Sequence, residues 1–167
     1  MYVEDAMTDA GPLAVMEDEW TRFLQDIRGG KAAGGFTLPA AARGEAKKTA
    51  DPKRVLIVED NIDAVRSLAY LVREMGHFVE YAINGYVAID IARRFLPEFV
   101  LLDLGLPGMD GFEVCRKIKS QAGLEHTRVI AITGYAQDEY RMRSRAAGCE
   151  MHLVKPVPTG VIEQLLG

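Results

Sequence analysis

The sequence predicts an α/β fold, a three-layer sandwich in which helices cover both faces of a five-stranded parallel sheet. From Lys53 onward, short apolar segments alternate with amphipathic ones, which is the pattern of successive βαβ units. Three of the apolar segments are almost continuously hydrophobic, as expected for parallel strands that are buried on both faces. Right-handed crossovers between such strands place the helices on the two sides of the sheet.

Five predicted strands and five predicted helices follow one another in this part of the chain. The strands are expected at Arg54–Val58, His77–Ala82, Phe99–Leu102, Arg128–Ile132 and Met151–Val154. The helices are expected at about Ile62–Met75, Tyr86–Phe95, Phe112–Ile118, Gln137–Ala147 and Val161–Leu166. Gly76 and Gly148 are the predicted ends of two helices, because glycine readily adopts the left-handed conformation that closes a helix.

Length, composition and charge exclude several classes of protein. The chain has 167 residues, of which 49% are hydrophobic and 26% charged, as in a soluble globular protein with one domain and an extension. A formal net charge of -4 argues against broad binding of nucleic acid or of an anionic membrane. We find neither an apolar run of about 20 residues nor a secretory signal. Cys115 and Cys149 lack metal-ligand spacing and are expected to be reduced thiols, so the predicted location is the cytoplasm.

The composition changes near residue 52, which predicts an extension at 1–52 and a domain at 53–167. Residues 29–51 are rich in Gly, Ala and Lys and are predicted to be a flexible linker. A short amphipathic helix is predicted before it, over about 15–28, with one apolar face formed by Met16, Trp20, Phe23, Leu24 and Ile27. Such a helix is marginal alone, so a fraying tail and a docking helix both stay open.

Four residues with matched chemistry stand at or just after the carboxyl ends of predicted strands: Asp60, Asp103, Thr133 and Lys155. Parallel strands bring these ends to one edge of the sheet, where ligands bind in open α/β folds. Glu59 adds a further acid. Crowded carboxylates repel one another, and a hard divalent cation such as Mg²⁺ relieves the repulsion. The competing interpretation of Asp60 is a helix N-cap.

Together these residues fit the chemistry of phosphoryl transfer. The carboxylate of Asp103 can attack phosphorus and form an aspartyl phosphate. Such a transfer needs mainly positioning and neutralisation of charge. A metal ion, the hydroxyl of Thr133 and the ammonium of Lys155 would meet that need.

Residues 54–166 resemble the receiver domain of response regulators in two-component and phosphorelay systems, the CheY-like superfamily with its flavodoxin-like (βα)5 fold. The resemblance is carried by four segments: Val55-Leu-Ile-Val-Glu-Asp-Asn61, Val100-Leu-Leu-Asp-Leu-Gly-Leu-Pro-Gly-Met-Asp-Gly111, Ile130-Ala-Ile-Thr-Gly134 and Leu153-Val-Lys-Pro156. It implies that Asp103 accepts a phosphoryl group from a histidine of a sensor histidine kinase or a histidine phosphotransfer protein. It also implies a downstream protein target.

The resemblance further implies the ligands of a magnesium ion. Asp60, Asp103 and the backbone carbonyl of Gly105 would bind Mg²⁺ directly, and Glu59 would act through metal-bound water. A phosphatase of the haloacid-dehalogenase type also forms an aspartyl phosphate, but it needs an acid two residues after the nucleophile, where this chain has Gly105. A nucleotide-binding module is disfavoured because neither GxGxxG nor a P-loop follows the first strand.

By the same resemblance, Thr133 is the switch hydroxyl and Lys155 binds the phosphate, with a cis peptide bond before Pro156. The family often has an aromatic residue three positions before the lysine, and this chain has His152. His152 either takes over the switch role or has none. Two outputs stay open: a single-domain regulator, and a phosphorelay intermediate or phosphate sink from a hybrid kinase system. An unphosphorylated interaction module is disfavoured by the intact set of acids, threonine and lysine. The oligomeric state also stays open, with a homodimer as one alternative.

Overall fold

The computed structural model describes residues 49–167. The predicted helix over about 15–28 lies outside the described residues, as does the predicted linker up to residue 48. The boundary between an extension at 1–52 and a domain at 53–167 therefore stays a prediction.

Five parallel strands form one sheet in the order β2-β1-β3-β4-β5. They are β1 (Arg54–Val58), β2 (Phe78–Ala82), β3 (Phe99–Leu102), β4 (Arg128–Thr133) and β5 (Met151–Val154). In the central strands, Val58 pairs with Leu102, which in turn pairs with Ala131. This register brings the carboxyl ends of the strands to one edge, and the predicted parallel sheet is confirmed.

Five helices alternate with the strands: α1 (Ile62–Glu74), α2 (Gly85–Phe95), α3 (Gly111–Lys119), α4 (Asp138–Ala147) and α5 (Thr159–Leu166). Leu56 and Val100 of the sheet share one buried cluster with α2 and α3. Val55 and Ile57 are also buried, and they face the other side of the sheet because side chains alternate along a strand. The sheet is therefore buried on both faces, and the three-layer α/β sandwich is confirmed.

Strands β1, β3 and β5 have the predicted boundaries, and the boundaries of the other elements differ from the predicted ones by one or two residues. Strand β2 begins at Phe78 rather than His77, because the His77 amide donates to Val72 O at the end of α1. Helix α5 begins at Thr159, two positions before the predicted start at Val161. Gly76 and Gly148 have positive φ angles of 92° and 99°, so both predicted glycine helix ends are confirmed. None of the helices between residues 49 and 167 has the length and apolarity needed to cross a membrane.

Candidate functional site

The sheet brings the four predicted strand-end residues to its carboxyl edge. The backbone N–H of Asp103 donates to the carbonyl of Val58 at 2.8 Å, so the β1–β3 ladder continues one residue beyond β3. In the same way, the N–H of Lys155 donates to the carbonyl of Thr133 at 2.9 Å. The backbone itself therefore fixes where these side chains leave the sheet.

Three carboxylates meet at this edge. Glu59, Asp60 and Asp103 each offer one oxygen, and these oxygens all lie within 4.8 Å of one another. Glu59 is buried with 7% of its surface exposed, Asp103 is half-buried and Asp60 is exposed. An all-oxygen set of this kind fits Mg²⁺, which prefers hard oxygen ligands and retains several waters on its open side.

Asp60 is not the N-cap of α1. That role falls to Asn61, whose Oδ1 accepts from the N–H groups of Asp63 at 3.0 Å and Ala64 at 3.1 Å. The N–H of Asn61 in turn donates to Glu59 Oε1 at 3.1 Å. The capping interpretation of Asp60 is therefore wrong, and its carboxylate belongs with the acidic group at the sheet edge.

Lys155 places an ammonium between two of these carboxylates. Its Nζ donates to Asp103 Oδ2 at 2.6 Å and also to Glu59. The Lys155–Pro156 peptide bond is cis, as the resemblance to receiver domains implied. Because the two acids are largely removed from water, this single cation offsets much of their mutual repulsion.

Burial and hydrogen bonding act in opposite directions on the pKa values of Glu59 and Lys155. Burial raises the pKa of Glu59, although the hydrogen bonds from Lys155 and the Asn61 N–H oppose that rise. Burial by itself lowers the pKa of Lys155, but the hydrogen bonds to Asp103 and Glu59 outweigh it, so the pKa of Lys155 is raised. Lys155 therefore remains a cation at neutral pH and keeps its place beside Asp103.

The acceptor loop, residues 103–111, holds the second carboxylate oxygen of Asp103. Asp103 Oδ1 accepts from the N–H of Gly105 at 2.9 Å. A Cβ built on Gly105 would lie 3.5 Å from Asp103 Oδ1 and 3.7 Å from the ring of Tyr135. The ring of Tyr135 therefore lies beside this loop, next to Gly105.

Gly111, the first residue of α3, packs against the backbone of the acceptor loop. Replacing it by alanine is therefore expected to destabilise the fold. The new Cβ would lie 2.5 Å from Leu104 Cα and 2.7 Å from the carbonyl oxygen of Asp103. Both are backbone atoms, so no rotamer change relieves the clash, and we expect a loss of about 3 kcal/mol of unfolding free energy. Urea denaturation measures it as a lower midpoint at unchanged slope.

The matched control is Gly160→Ala in α5, where a Cβ would meet no atom within 4 Å. Alanine there should leave the midpoint unchanged or raise it slightly, because alanine favours helix over glycine. Equal midpoints for Gly111→Ala and wild type would contradict the tight packing of α3 on the acceptor loop.

Thr133 lies at the end of β4 with none of its surface exposed. Its Oγ1 accepts from the N–H of Tyr135 at 3.3 Å. His152 Nε2 contacts the carbonyl of Tyr135 at 2.8 Å, and its Nδ1 contacts Ser144 Oγ at 2.9 Å. Since a carbonyl only accepts, Nε2 is the donor. His152 of β5 thus joins the β4–α4 loop to α4.

An aromatic stack lies beside the acceptor loop. It is formed by the rings of Tyr135, Tyr140 and Phe112 with the guanidinium of Arg143. The rings of Tyr135 and Tyr140 lie 4.3 Å apart and nearly parallel. Arg143 stands 4.2 Å from the centre of the Phe112 ring and 3.5 Å from the Asp110 carboxylate. Sequence reasoning missed this stack and the Ser144 contact, because their members come from separate elements and leave no periodic signal.

The sequence and the fold both match known receiver proteins. A family model described as "Response regulator receiver domain" matches residues 55–166. The polar-differentiation response regulator DivK of Brucella anthropi is 37% identical over 106 residues, which is 64% of this chain and 86% of that protein. The chemotaxis response regulator CheY4 of Vibrio cholerae has a TM-score of 0.65 and 25% identity, covering 70% of this chain and 97% of that one.

A further solved structure bears on the acidic group. It is the receiver domain of the sensor histidine kinase PA1611 of Pseudomonas aeruginosa, with a magnesium ion coordinated in its active-site cleft. Its TM-score is 0.64 at 28% identity, covering 70% of this chain and 95% of that one. The function of the present chain is phosphorelay signal transduction. The chain belongs to the response regulator receiver domain family.

Proposed function

We propose that Asp103 accepts a phosphoryl group from a phosphohistidine of a sensor histidine kinase or a histidine phosphotransfer protein, with Mg²⁺ as cofactor. The observation that carries the proposal is the contact of 2.6 Å between Lys155 Nζ and Asp103 Oδ2 within a group of three carboxylates. A nucleophile, a fixed cation and a candidate set of metal ligands thus lie together, which is what phosphoryl transfer needs.

In this reaction a carboxylate oxygen of Asp103 forms a bond to phosphorus while the phosphorus–nitrogen bond of the donor breaks and the imidazole leaves. The N–H of Gly105 holds Oδ1, which fixes the orientation of the carboxylate. Lys155 contacts Oδ2, so its ammonium is positioned to turn to the oxygens of the incoming phosphoryl group. Glu59 remains beside Lys155 and keeps that ammonium in place.

Asp60, Asp103 and the backbone carbonyl of Gly105 would hold Mg²⁺, and Glu59 would act through a metal-bound water. The ion, when bound, supplies positive charge opposite the phosphoryl oxygens. The same residues would otherwise carry three mutually repelling carboxylates beside one ammonium. This excess of negative charge supports the assignment of a divalent cation.

We assign the switch to Thr133 and His152. The Thr133 hydroxyl can donate to a phosphoryl oxygen, and its present acceptor role ties it to the N–H of Tyr135. His152 reaches the carbonyl of the same Tyr135 and, through Ser144, helix α4. A movement of Thr133 toward the phosphate would therefore be passed to α4 and β5, and phosphorylation would shift the balance between two conformations.

The output of this switch is contact with a downstream protein. The domain acts as a phospho-acceptor rather than as an enzyme on other substrates, and it works in the cytoplasm without binding nucleic acid or membrane. A phosphorelay intermediate or a phosphate sink for a hybrid kinase would use the same site, and a homodimer is compatible with it. Gly105 leaves no acid two residues after Asp103, which disfavours an aspartyl-phosphate phosphatase.

The proposal is tested by incubating the full chain with acetyl phosphate, a small phosphodonor, and measuring its intact mass. With Mg²⁺ we expect one phosphoryl adduct per chain, because Asp103 is the one carboxylate of the site to which we assign the role of nucleophile. With excess chelator in place of Mg²⁺ we expect the adduct to form far more slowly, since the three carboxylates then repel the anionic donor. Absence of any adduct with Mg²⁺ would refute the assignment of a phospho-acceptor.

A further inference from the structure

Two thiols meet inside the domain, away from the acidic site. Cys115 Sγ and Cys149 Sγ lie 3.2 Å apart, and both cysteines are buried and reduced. They are 34 residues apart in sequence, so only the packing of α3 against the α4–β5 turn brings them together. Neither cysteine belongs to the acidic group formed by Glu59, Asp60 and Asp103.

Local structure fixes both sulfur atoms. Cys115 lies on the buried face of α3 with Val114 and Ile118. Cys149 directly follows Gly148, whose left-handed conformation ends α4, and its N–H donates to the carbonyl of Ser144 at 2.9 Å. The helix end therefore turns the chain so that the Cys149 side chain faces α3.

The environment makes the two thiols unequal. The hydrogen bond from Cys149 lowers the pKa of Cys115 more than burial raises it, and the positive charges of Lys119 and Arg116 act in the same direction as the hydrogen bond. That hydrogen bond and burial both raise the pKa of Cys149. Because the thiolate is the reactive form of cysteine, Cys115 is suited to attack first and Cys149 to act second.

We propose that Cys115 and Cys149 form a redox modification site, at which hydrogen peroxide converts the two thiols into a disulfide that joins α3 to the α4–β5 turn. The Cys115 thiolate attacks one peroxide oxygen, the O–O bond breaks, and the hydroxide released takes up a proton to give water. Cys149 then loses its proton and attacks the Cys115 sulfur, whose S–O bond breaks and releases a second water. Two thiols are oxidised and one peroxide is reduced.

The two sulfur atoms already lie close to bonding distance. A disulfide has a sulfur–sulfur bond of about 2.05 Å, so the present separation of 3.2 Å closes by roughly 1 Å. The crosslink would tie down the α4–β5 turn between Ser144 and His152, which contact each other. Oxidation would thus restrict α4 and β5, which also carry the proposed phosphorylation switch. An effect of oxidation on signalling therefore rests on the proposed function, while the crosslink itself does not.

The crosslink is tested on the full chain, purified reduced and then exposed to hydrogen peroxide. After an acid quench, the chain is denatured and its remaining free thiols are alkylated with N-ethylmaleimide. The intact mass is then measured, and peptides are mapped without reductant. The sequence contains two cysteines, so we expect both alkylation sites to be lost at monomer mass and a linked Cys115–Cys149 peptide that dithiothreitol separates. Cys115→Ser and Cys149→Ser each should form no intramolecular link.

Retention of both alkylation sites, or oxidation of single cysteines without a linked peptide, would overturn the proposal even if the serine variants fail to fold. Asp103→Asn should crosslink as wild type does, because no phosphodonor is present and Asp103 takes no part in the oxidation. Hydrogen exchange then checks the consequence: amides of α4 and β5 are expected to exchange several-fold more slowly in the oxidised chain. Unchanged exchange there would overturn the restriction of these elements.

Discussion

Replacing Asp103 by asparagine is expected to abolish the phosphoryl adduct that wild type forms with acetyl phosphate and Mg²⁺. A neutral carboxamide oxygen is a far weaker nucleophile than a carboxylate, so the covalent step is lost. The change preserves the shape of the side chain and an oxygen that can accept from Lys155, which now contacts Asp103 Oδ2 at 2.6 Å. Intact mass after a fixed incubation measures the loss, and circular dichroism verifies that the variant is folded.

The matched control for this variant is Asp90→Asn. Asp90 is an exposed residue of α2 whose carboxylate lies 3.7 Å from Arg93, and it does not belong to the acidic group formed by Glu59, Asp60 and Asp103. We expect it to form the adduct at the wild-type rate. Hydroxylamine adds a chemical check, because it cleaves an acyl phosphate but leaves a phosphate ester on a hydroxyl such as that of Thr133 intact. An adduct that persists in Asp103→Asn, or that resists hydroxylamine in wild type, would contradict Asp103 as the acceptor.

The fold and the main site residues were predictable because they depend on local pattern and on one topological rule. The apolar runs of β1 and β3 are each followed by an acid, and parallel strands deliver such residues to a common edge. The structure brings Glu59, Asp60, Asp103 and Lys155 together there.

Helix ends were less predictable because neighbouring residues compete for the same role. Both Asp60 and Asn61 are good N-cap residues by type, and only the direction of the side chains decides that Asn61 takes the cap. Helix α5 starts at Thr159, ahead of its first apolar residue, Val161. Apolar periodicity therefore does not reveal helical residues that precede the first apolar position of a helix.

Contacts that depend on tertiary packing could not be derived from spacing. The sequence singled out His152 as a departure from the family pattern, but its contacts with Ser144 and Tyr135 join residues of three different elements. The Cys115–Cys149 contact spans 34 positions. Such pairs follow from rotamers and helix packing, which no pattern along the chain records.

The second large effect is expected for Lys155→Met, which removes the ammonium between Glu59 and Asp103 and keeps most of the side chain's volume. Loss of one preorganised positive donor at a reacting oxyanion costs on the order of 10²-fold to 10³-fold in rate in comparable sites. We therefore expect phosphorylation of Asp103 to slow by about 10²-fold or more. The time course of adduct formation at saturating Mg²⁺ measures it. The control is Lys117→Met on α3, whose half-exposed ammonium contacts Glu113 at 3.4 Å and should leave the rate unchanged.

Measuring Mg²⁺ binding to the Lys155→Met variant distinguishes loss of the lysine charge from displacement of the three carboxylates. In wild type the Lys155 ammonium contacts Glu59 and Asp103, so it neutralises the charge that attracts a cation and repels the cation itself. Without it, the three carboxylates have no counter-ion from Lys155, and Mg²⁺ should bind more tightly than in wild type even though phosphorylation is slower. Weaker Mg²⁺ binding in a folded Lys155→Met variant would mean that the lysine holds the acids in place, and the assignment of Lys155 to the phosphoryl group would fail. Tighter Mg²⁺ binding with slower phosphoryl transfer is the result expected of a phosphate-binding lysine beside a metal site.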